Sequence, residues 1–356
     1  MSIKVIEFAS VLAGPAVGMF FSELGAAVIK IENRRTGGDV TRAWKLPSEN
    51  PNANISAYWA SVNYRKQYLM LDLENLEDRA QAQALVRDAD VVISNFRPEA
   101  ARRFGLDPET LRKRHPGLIY AQLDAYPDPD DPRPAFDVVL QADTGFMSMT
   151  GEAGRPCVKM PVALIDLLAA HQLKEGILWA LWQRERTGEG ALVRTSLFES
   201  AVASLANQAT NWLMAGHLPT PMGSQHPNIA PYGDQVTCAG GPVLVLAVGT
   251  QRHFERLCAV VGEPEKAFDP QFATNRDRVL HRAALVTWLQ EKFGRRPIEH
   301  WLDQLQAAGV PAAPVRNLQS LFSTPEARSM VLHSEEEGIP TQRVKTVAFH
   351  LTSGHG

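Results

Sequence analysis

Between residues 3 and 124 the chain alternates strand-length apolar runs with stretches of helical length, and few folds accept that pattern. The runs IKVIEF, AAVIKIE, YLMLDL, DVVISNF and LIYAQLDAY are short and rich in β-branched residues, and segments such as GPAVGMFFSELG separate them. Such spacing is the mark of βαβ units and a mostly parallel sheet, so an α/β architecture of the nucleotide-handling kind is expected. Two intervening helices carry start signals. Asn75 precedes LEDRAQAQALVRDA, and Asp107-Pro108 precedes ETLRKRH with proline in the first turn.

Further along, a helical pattern from about Pro161 through LIDLLAAHQLKEGILWALWQRE stops at Gly188 and Gly190. The segment ALVRTSLFESAVASLANQATNWLMAG reads as a strand and then one helix. A Pro- and Gly-rich linker follows, HLPTPMGSQHPNIAPYGDQ. Beyond it, QVTCAGGPVLVLAV predicts a hairpin turning at Gly240-Gly241, and three amphipathic stretches lie between Gln251 and Ala308. The expected organisation is a large α/β domain over 1–215, rejoined by 320–356, and a smaller α+β domain over 222–315. The closing VKTVAFHLTSGHG is expected either to return to the first domain or to fray.

Composition narrows the function. With 45% hydrophobic and 21% charged residues among 356, the chain has ample material for a folded core. Its 36 basic and 39 acidic residues are mixed along the sequence, with no basic block to follow a phosphate backbone, so nucleic acid is not an expected partner. No run of about 18 apolar residues occurs and the N-terminus lacks a leader pattern, so no membrane association and a cytoplasmic location are expected. Cys157, Cys238 and Cys258 lack paired spacing and read as buried, reduced thiols. His171, His217, His226 and His253 show no metal-ligand spacing, and no metal is expected.

Five blocks, in order, carry a stronger signal: EFASVLAGPAVGMFFSELGAAVIKIE; GGDVTRAW with NYRKQYLMLDL; ADVVISNFRPEAARRFGLD; FDVVLQADTGFMSMTGEAGRPCVKMPVALIDLLAA; and GILWALWQRERTGEGALVRTSLFESAV. Together they resemble the class III CoA-transferases, a family that includes formyl-CoA, succinyl-CoA and mesaconyl-CoA transferases and α-methylacyl-CoA racemase. A looser match, HPNIAPYG, extends the resemblance into the second domain. Residues Leu12 to Gly18 do not satisfy the dinucleotide fingerprint.

The resemblance implies a Rossmann-like large domain, an interlocked homodimer, and movement of CoA from an acyl-CoA to a small carboxylic acid. It places the family's nucleophilic aspartate at Asp166. A carboxylate with an ordinary pKa of about 3.9 is ionised at neutral pH and attacks a thioester without a general base. The steps implied are a mixed anhydride, then an aspartyl-CoA thioester, with the CoA thioester as substrate and no permanently bound cofactor. Backbone N–H groups at Gly145, Gly151 and Gly223 are candidate oxyanion donors.

For CoA itself the resemblance assigns Val11, Leu71, Asn95, Phe96 and Arg103, the last suited to phosphate. Two basic contacts of the formyl-CoA transferases fall on Asn33 and Glu74, with Arg34, Arg35 or Arg133 as substitutes. Arg42 is a candidate for the distal carboxylate of a dicarboxylic acid. The racemases of the family use a histidine where this chain has Phe136, and phenylalanine carries no proton. Racemisation and a catalytically silent CoA-binding protein are the alternatives.

Overall fold

A computed structural model describes residues 3–352. The chain divides into two compact units. The first takes the chain to Ser148, then Val158–Pro219, and then everything from Arg328 onward; the second takes Met149–Cys157 and Thr220–Ala327. Met149–Cys157 therefore leaves the first unit, where the sequence reading kept it. The Gly223 N–H donates to the Gly151 carbonyl at 2.7 Å, a bond between distant positions that no local pattern announces.

The first unit is built on six parallel strands, β1 (Lys4–Glu7), β2 (Ala27–Asn33), β3 (Gln67–Leu71), β4 (Val91–Ser94), β5 (Ile119–Asp124) and β6 (Leu192–Ser196). Their order is β3-β2-β1-β4-β5-β6, the doubly wound arrangement with its switch point between β1 and β4. The mixed α/β class and the parallel sheet expected from the apolar runs are both present. Alternate strand residues feed two cores. Val5, Val28, Val91, Ile93 and Ile119 pack against the helices Ala13–Glu23 and Leu164–Thr187, while Ile6, Ile31, Val92 and Tyr120 meet those on the other face.

Helix boundaries follow their local chemistry. The Asn75 side chain accepts from Glu77 and Asp78 N–H, and Asp107 accepts from Thr110 N–H with Pro108 in the first turn. Gly188, at φ 75°, ends the Leu164–Thr187 helix in the left-handed region that glycine enters freely. After β6 the expected single helix is two, Leu197–Ala203 and Ala206–Ala215, broken where Ala206 adopts φ 48°. The break lies in backbone geometry and not in side-chain pattern.

Two strand residues on the helix-facing side of the sheet are charged and fully buried. Glu7 accepts from Lys30 at 2.8 Å and from Lys66 at 2.8 Å, directly beneath the Ala13–Glu23 helix. Gly18 makes room for this cluster. A Cβ there would stand 1.8 Å from Glu7 Oε2 and 3.2 Å from Lys66 Nζ. Gly18→Ala is therefore expected to destabilise the protein by about 3 kcal/mol or more, since it pushes a buried carboxylate off its partners. Urea unfolding that placed the variant within about 0.5 kcal/mol of the parent would remove this role.

The second unit holds an antiparallel sheet of β7 (Tyr232–Thr237), β8 (Val243–Ala247) and β9 (Ala312–Pro314), with the β7–β8 turn at Gly240 and Gly241 as predicted. Four α-helices stand where three amphipathic stretches were read: Gln251–Val260, Asn275–Leu280, Arg282–Phe293 and Ile298–Ala307. His281 both ends the second and starts the third, too short a break to show in periodicity. Cys157 is exposed, against expectation, whereas Cys238 and Cys258 are buried; all three are free.

The chain then forms a hairpin in the first unit, β10 (Val331–Glu336) and β11 (Ile339–Val344). After it, Thr346 and Val347 donate N–H groups to the Glu23 carboxylate at 2.8 and 3.0 Å. The terminal AFHLTS stretch forms no strand up to Thr352, and the end of the expected closing segment, 353–356, lies outside the described residues. Among the described residues no helix is long and apolar enough to cross a membrane.

Candidate active site

At the carboxyl ends of β1 to β4 lies a cleft of about 1020 Å³, where an open α/β sheet ordinarily receives its ligand. Leu71, Asn95, Phe96 and Arg103 line it, so four residues separated by up to 32 positions are brought together. Leu71 ends β3 and is buried. Asn95 follows β4 and donates to the Ser10 carbonyl at 3.4 Å, tying the two loops of the switch point. The Phe96 ring packs between Phe8 (5.5 Å) and Phe104 (6.1 Å). Arg103 stands on the rim, half exposed, paired to Glu74 at 2.6 Å.

Val11 does not itself line the cleft, although its neighbour Ser10 does. Its N–H donates to Asp39, whose carboxylate faces the cleft floor. No glycine-rich phosphate loop follows β1. Nor is the acidic residue at the end of β2 free for a ribose: Glu32 is consumed by Arg42 Nε at 2.6 Å and Trp59 Nε1 at 3.1 Å.

Arg42, assigned from the sequence to a distal carboxylate, is not available for it. Its guanidinium binds Glu32, reaches Glu337 at 2.8 Å in the β10–β11 turn, and stacks over Trp59 at 4.2 Å. This is a correction. The hairpin partner lies 295 positions away and is invisible to local pattern. Of the three substitute arginines, Arg35 lines the cleft; Arg34 pairs with Asp78, and Arg133 pairs with Asp131 and stacks on Tyr126 at 3.6 Å.

Asp166 sits in the first turn of the Leu164–Thr187 helix, 8% exposed. It does not line the cleft. Sequence reasoning missed its immediate environment, which is made by Asp137. That residue opens the Asp137–Asp143 helix, and its Oδ1 accepts from Ile165 N–H at 2.7 Å and from Asp166 N–H at 3.3 Å. Its Oδ2 accepts from Gln141 Nε2 at 2.6 Å. Asp137 thus satisfies the open donors of a long helix from another element, at the end where the helix dipole favours negative charge.

The second carboxylate alters the first. Burial, and then the charge of Asp137, push the Asp166 carboxyl up to about 7, so the expectation of a fully ionised aspartate at neutral pH is corrected. Tyr58 feels the charges of this pair and of Asp39, which lines the cleft. Its hydroxyl is pushed up by burial and by the negative charges of Asp166, Asp137 and Asp39. Trp44 packs on Tyr58 at 5.1 Å and on Phe136, the residue before Asp137, at 6.5 Å. An S/T-x-x-E capping motif would have been legible; a cap supplied from 29 positions away is not.

The oxyanion assignments also change. The Gly223 N–H is spent on Gly151, and that of Gly145 points at the Ala142 carbonyl at 3.5 Å. Among the described residues there is no group of three or more His, Cys, Asp or Glu side chains disposed to hold a metal ion.

An open parallel sheet with a cleft at its switch point defines a doubly wound α/β protein. The family model for CoA-transferase family III matches residues 1–355, and the chain belongs to that family. The succinate–glutarate CoA-transferase of Agrobacterium fabrum is 36% identical over 355 residues, covering 97% of this chain and 87% of that protein. The acetyl-CoA:oxalate CoA-transferase of Acetobacter aceti is 35% identical, covering 98% and 89%. A CAIB/BAIF family protein from Brucella suis superposes with a TM-score of 0.82 at 34% identity, covering 98% of this chain and 92% of that one. The protein is a transferase whose class acts on CoA thioesters.

Proposed function

We propose that the protein moves CoA from an acyl-CoA to a small carboxylic acid, with Asp166 as the covalent nucleophile. The observation that carries this reading is a buried carboxylate at the start of the Leu164–Thr187 helix with a second carboxylate, Asp137, bonded to its own N–H, in a unit whose sheet opens on a nucleotide-type cleft. An ionised Asp166 Oδ attacks the thioester carbonyl, and the C–S bond breaks to give an aspartyl–acyl anhydride and CoA thiolate. The thiolate attacks the aspartyl carbonyl and releases the original carboxylate. The acceptor acid then attacks the aspartyl-CoA thioester, and the returning thiolate resolves the second anhydride. One thioester replaces another, and Asp166 is regenerated.

The raised pKa suits this role. A carboxylate that holds its proton more tightly is the better nucleophile once ionised, and desolvation strengthens its attack. The relatives' names include succinate, glutarate and oxalate, so small dicarboxylic acids are the acceptors to test first. Racemisation is disfavoured because Phe136, half exposed and tilted against Trp44, offers no proton carrier. An interlocked homodimer and a cytoplasmic location complete the reading. The exposed, stacked Trp179 and Trp182 on the Leu164–Thr187 helix support the former.

Intact mass spectrometry with succinyl-CoA, trapped by hydroxylamine or borohydride, tests the mechanism. A modification confined to Asp166 and absent from Asp166→Ala is the expected result. No adduct, with solvent deuterium entering the α-carbon, would replace transfer by proton-transfer chemistry.

For CoA, the cleft supports Leu71, Asn95, Phe96 and Arg103 as contacts, with Val11 in the adjoining loop. The Arg103–Glu74 pair is exposed and holds little energy, so an incoming phosphate displaces Glu74 easily. Arg103→Ala is expected to raise the KM for acyl-CoA roughly 10-fold with kcat little changed. Steady-state kinetics showing an unaltered KM would take Arg103 out of phosphate binding.

A further inference from the structure

Val11 adopts φ 73°, in the left-handed region, where a β-branched residue is a genuine outlier. Such a conformation persists only where its surroundings impose it. Here the imposing group is Asp39, whose two oxygens accept the Val11 N–H at 3.1 and 3.4 Å. Asp39 is itself fixed. It accepts from Thr41 N–H at 3.1 Å and Thr41 Oγ1 at 2.8 Å, and it pairs with Lys30 at 3.1 Å.

Lys30 is fully committed as well. Its ammonium reaches Glu7 Oε1 at 2.8 Å, the Ala9 carbonyl at 2.7 Å and Asp39 Oδ2 at 3.1 Å, one partner for each of its three protons. The loop between β1 and the first helix is therefore gripped at both ends, by Lys30 on the Ala9 carbonyl and by Asp39 on the Val11 N–H. Between them Ser10 faces the cleft and receives Asn95 from the neighbouring loop. Lys30 and Asp39 line the same cleft, yet neither has spare capacity for a ligand. Their charges cancel. Burial works against the Asp39 carboxylate, but Lys30 and the Thr41 donors hold its pKa below the ordinary value.

We infer that Asp39, pinned by Lys30, is a positioning residue: it holds the residue 8–12 loop in the strained form that completes the CoA site. This rests on the reading of the cleft as a CoA site. Without the acceptor at Asp39, Val11 relaxes to negative φ and Ser10 turns from the cleft; with glycine at position 11 the left-handed form needs no enforcement.

The test is a double-mutant cycle read by calorimetric titration with CoA on the full-length protein. Asp39→Ala is expected to weaken CoA binding roughly 10-fold in the parent, and only about 2-fold when compared with Val11→Gly in the Val11→Gly background. Asp39→Asn keeps one acceptor oxygen but turns its amide on Lys30 or on the Thr41 donors, so it is expected to lose less than Asp39→Ala, roughly 3- to 5-fold, and serves where Asp39→Ala does not fold. Equal losses in both backgrounds, or an Asp39→Asn defect as large as that of Asp39→Ala, would overturn the inference. Hydrogen exchange in the peptide spanning residues 8–12 reads the loop with no ligand present. Exchange is expected to quicken more in Asp39→Ala than in Asp39→Asn; exchange in this peptide that matches the parent in both variants would overturn the inference. If the parent fails to bind CoA at all, the cleft assignment falls, and the exchange result still decides the role of Asp39.

Discussion

Asp166→Asn is expected to abolish CoA transfer and, above pH 7, to make the protein more stable. The loss of activity, about 10⁴-fold or more, follows if Asp166 is the nucleophile we propose, for which no neighbouring group substitutes. Asp137, the nearest carboxylate, is occupied by two backbone donors and Gln141. The gain in stability follows from the raised pKa. A carboxyl that ionises near its ordinary 3.8 in the unfolded chain and at about 7 in the folded one binds more protons when folded across that interval. Stability contributed by this group is therefore present below pH 4, is lost progressively as pH climbs toward 7, and stays lost above. The full penalty corresponds to at most about 4 kcal/mol. Asparagine carries no charge to desolvate and escapes it. Urea unfolding should show the advantage of Asp166→Asn growing by roughly 3 kcal/mol between pH 4.5 and pH 8. A difference that does not change with pH would show that Asp166 is not held out of its charged form.

The second large effect concerns how Asp166 comes to be so poised. In the proposed mechanism only the ionised form attacks, so kcat/KM for acyl-CoA is expected to fall below about pH 7. Burial is the larger cause and the Asp137 charge the second. Asp137→Asn removes that charge while leaving an oxygen to accept from Ile165 and Asp166, so the acid limb should move down by about one pH unit. The fold should weaken at the same time. An asparagine amide turned toward Gln141 meets a donor, and Gln141 cannot simply flip because its Oε1 accepts from Met160 N–H at 2.8 Å. Asp137→Ala loses the cap outright and should cost about 1–2 kcal/mol more. An acid limb that stays in place in Asp137→Asn would leave burial as the sole origin of the shift.

These two effects show why function and stability conflict here. The helix start at Leu164 would be best served by one carboxylate; it has two, and burial, with the charge of the first added to it, keeps the second partly protonated. Similar compromise marks the buried cluster beneath the Ala13–Glu23 helix, where Glu7, Lys30, Asp39 and Lys66 pair and Gly18 gives up helix propensity to make space for Glu7 and Lys66.

Much of this was legible in the amino-acid order. The strand-length apolar runs specified a parallel sheet because a strand buried on both faces needs nearly continuous hydrophobic residues, and Asn75, Asp107-Pro108 and Gly188 marked helix ends through bonds made within three residues. The family blocks led to Asp166 and to the residues that converge on the cleft at the strand ends. What local order does not encode is which distant group completes a given charge. Arg42 looked free until Glu337 closed on it from the far hairpin, and Asp166 looked ordinary until Asp137 was laid across its helix start. Met149–Cys157 likewise belongs to the second unit, where the Gly151 carbonyl accepts from the distant Gly223 N–H. Desolvation and Coulomb interaction depend on proximity in space, and proximity between residues 28 to 295 positions apart exists only once the chain has folded.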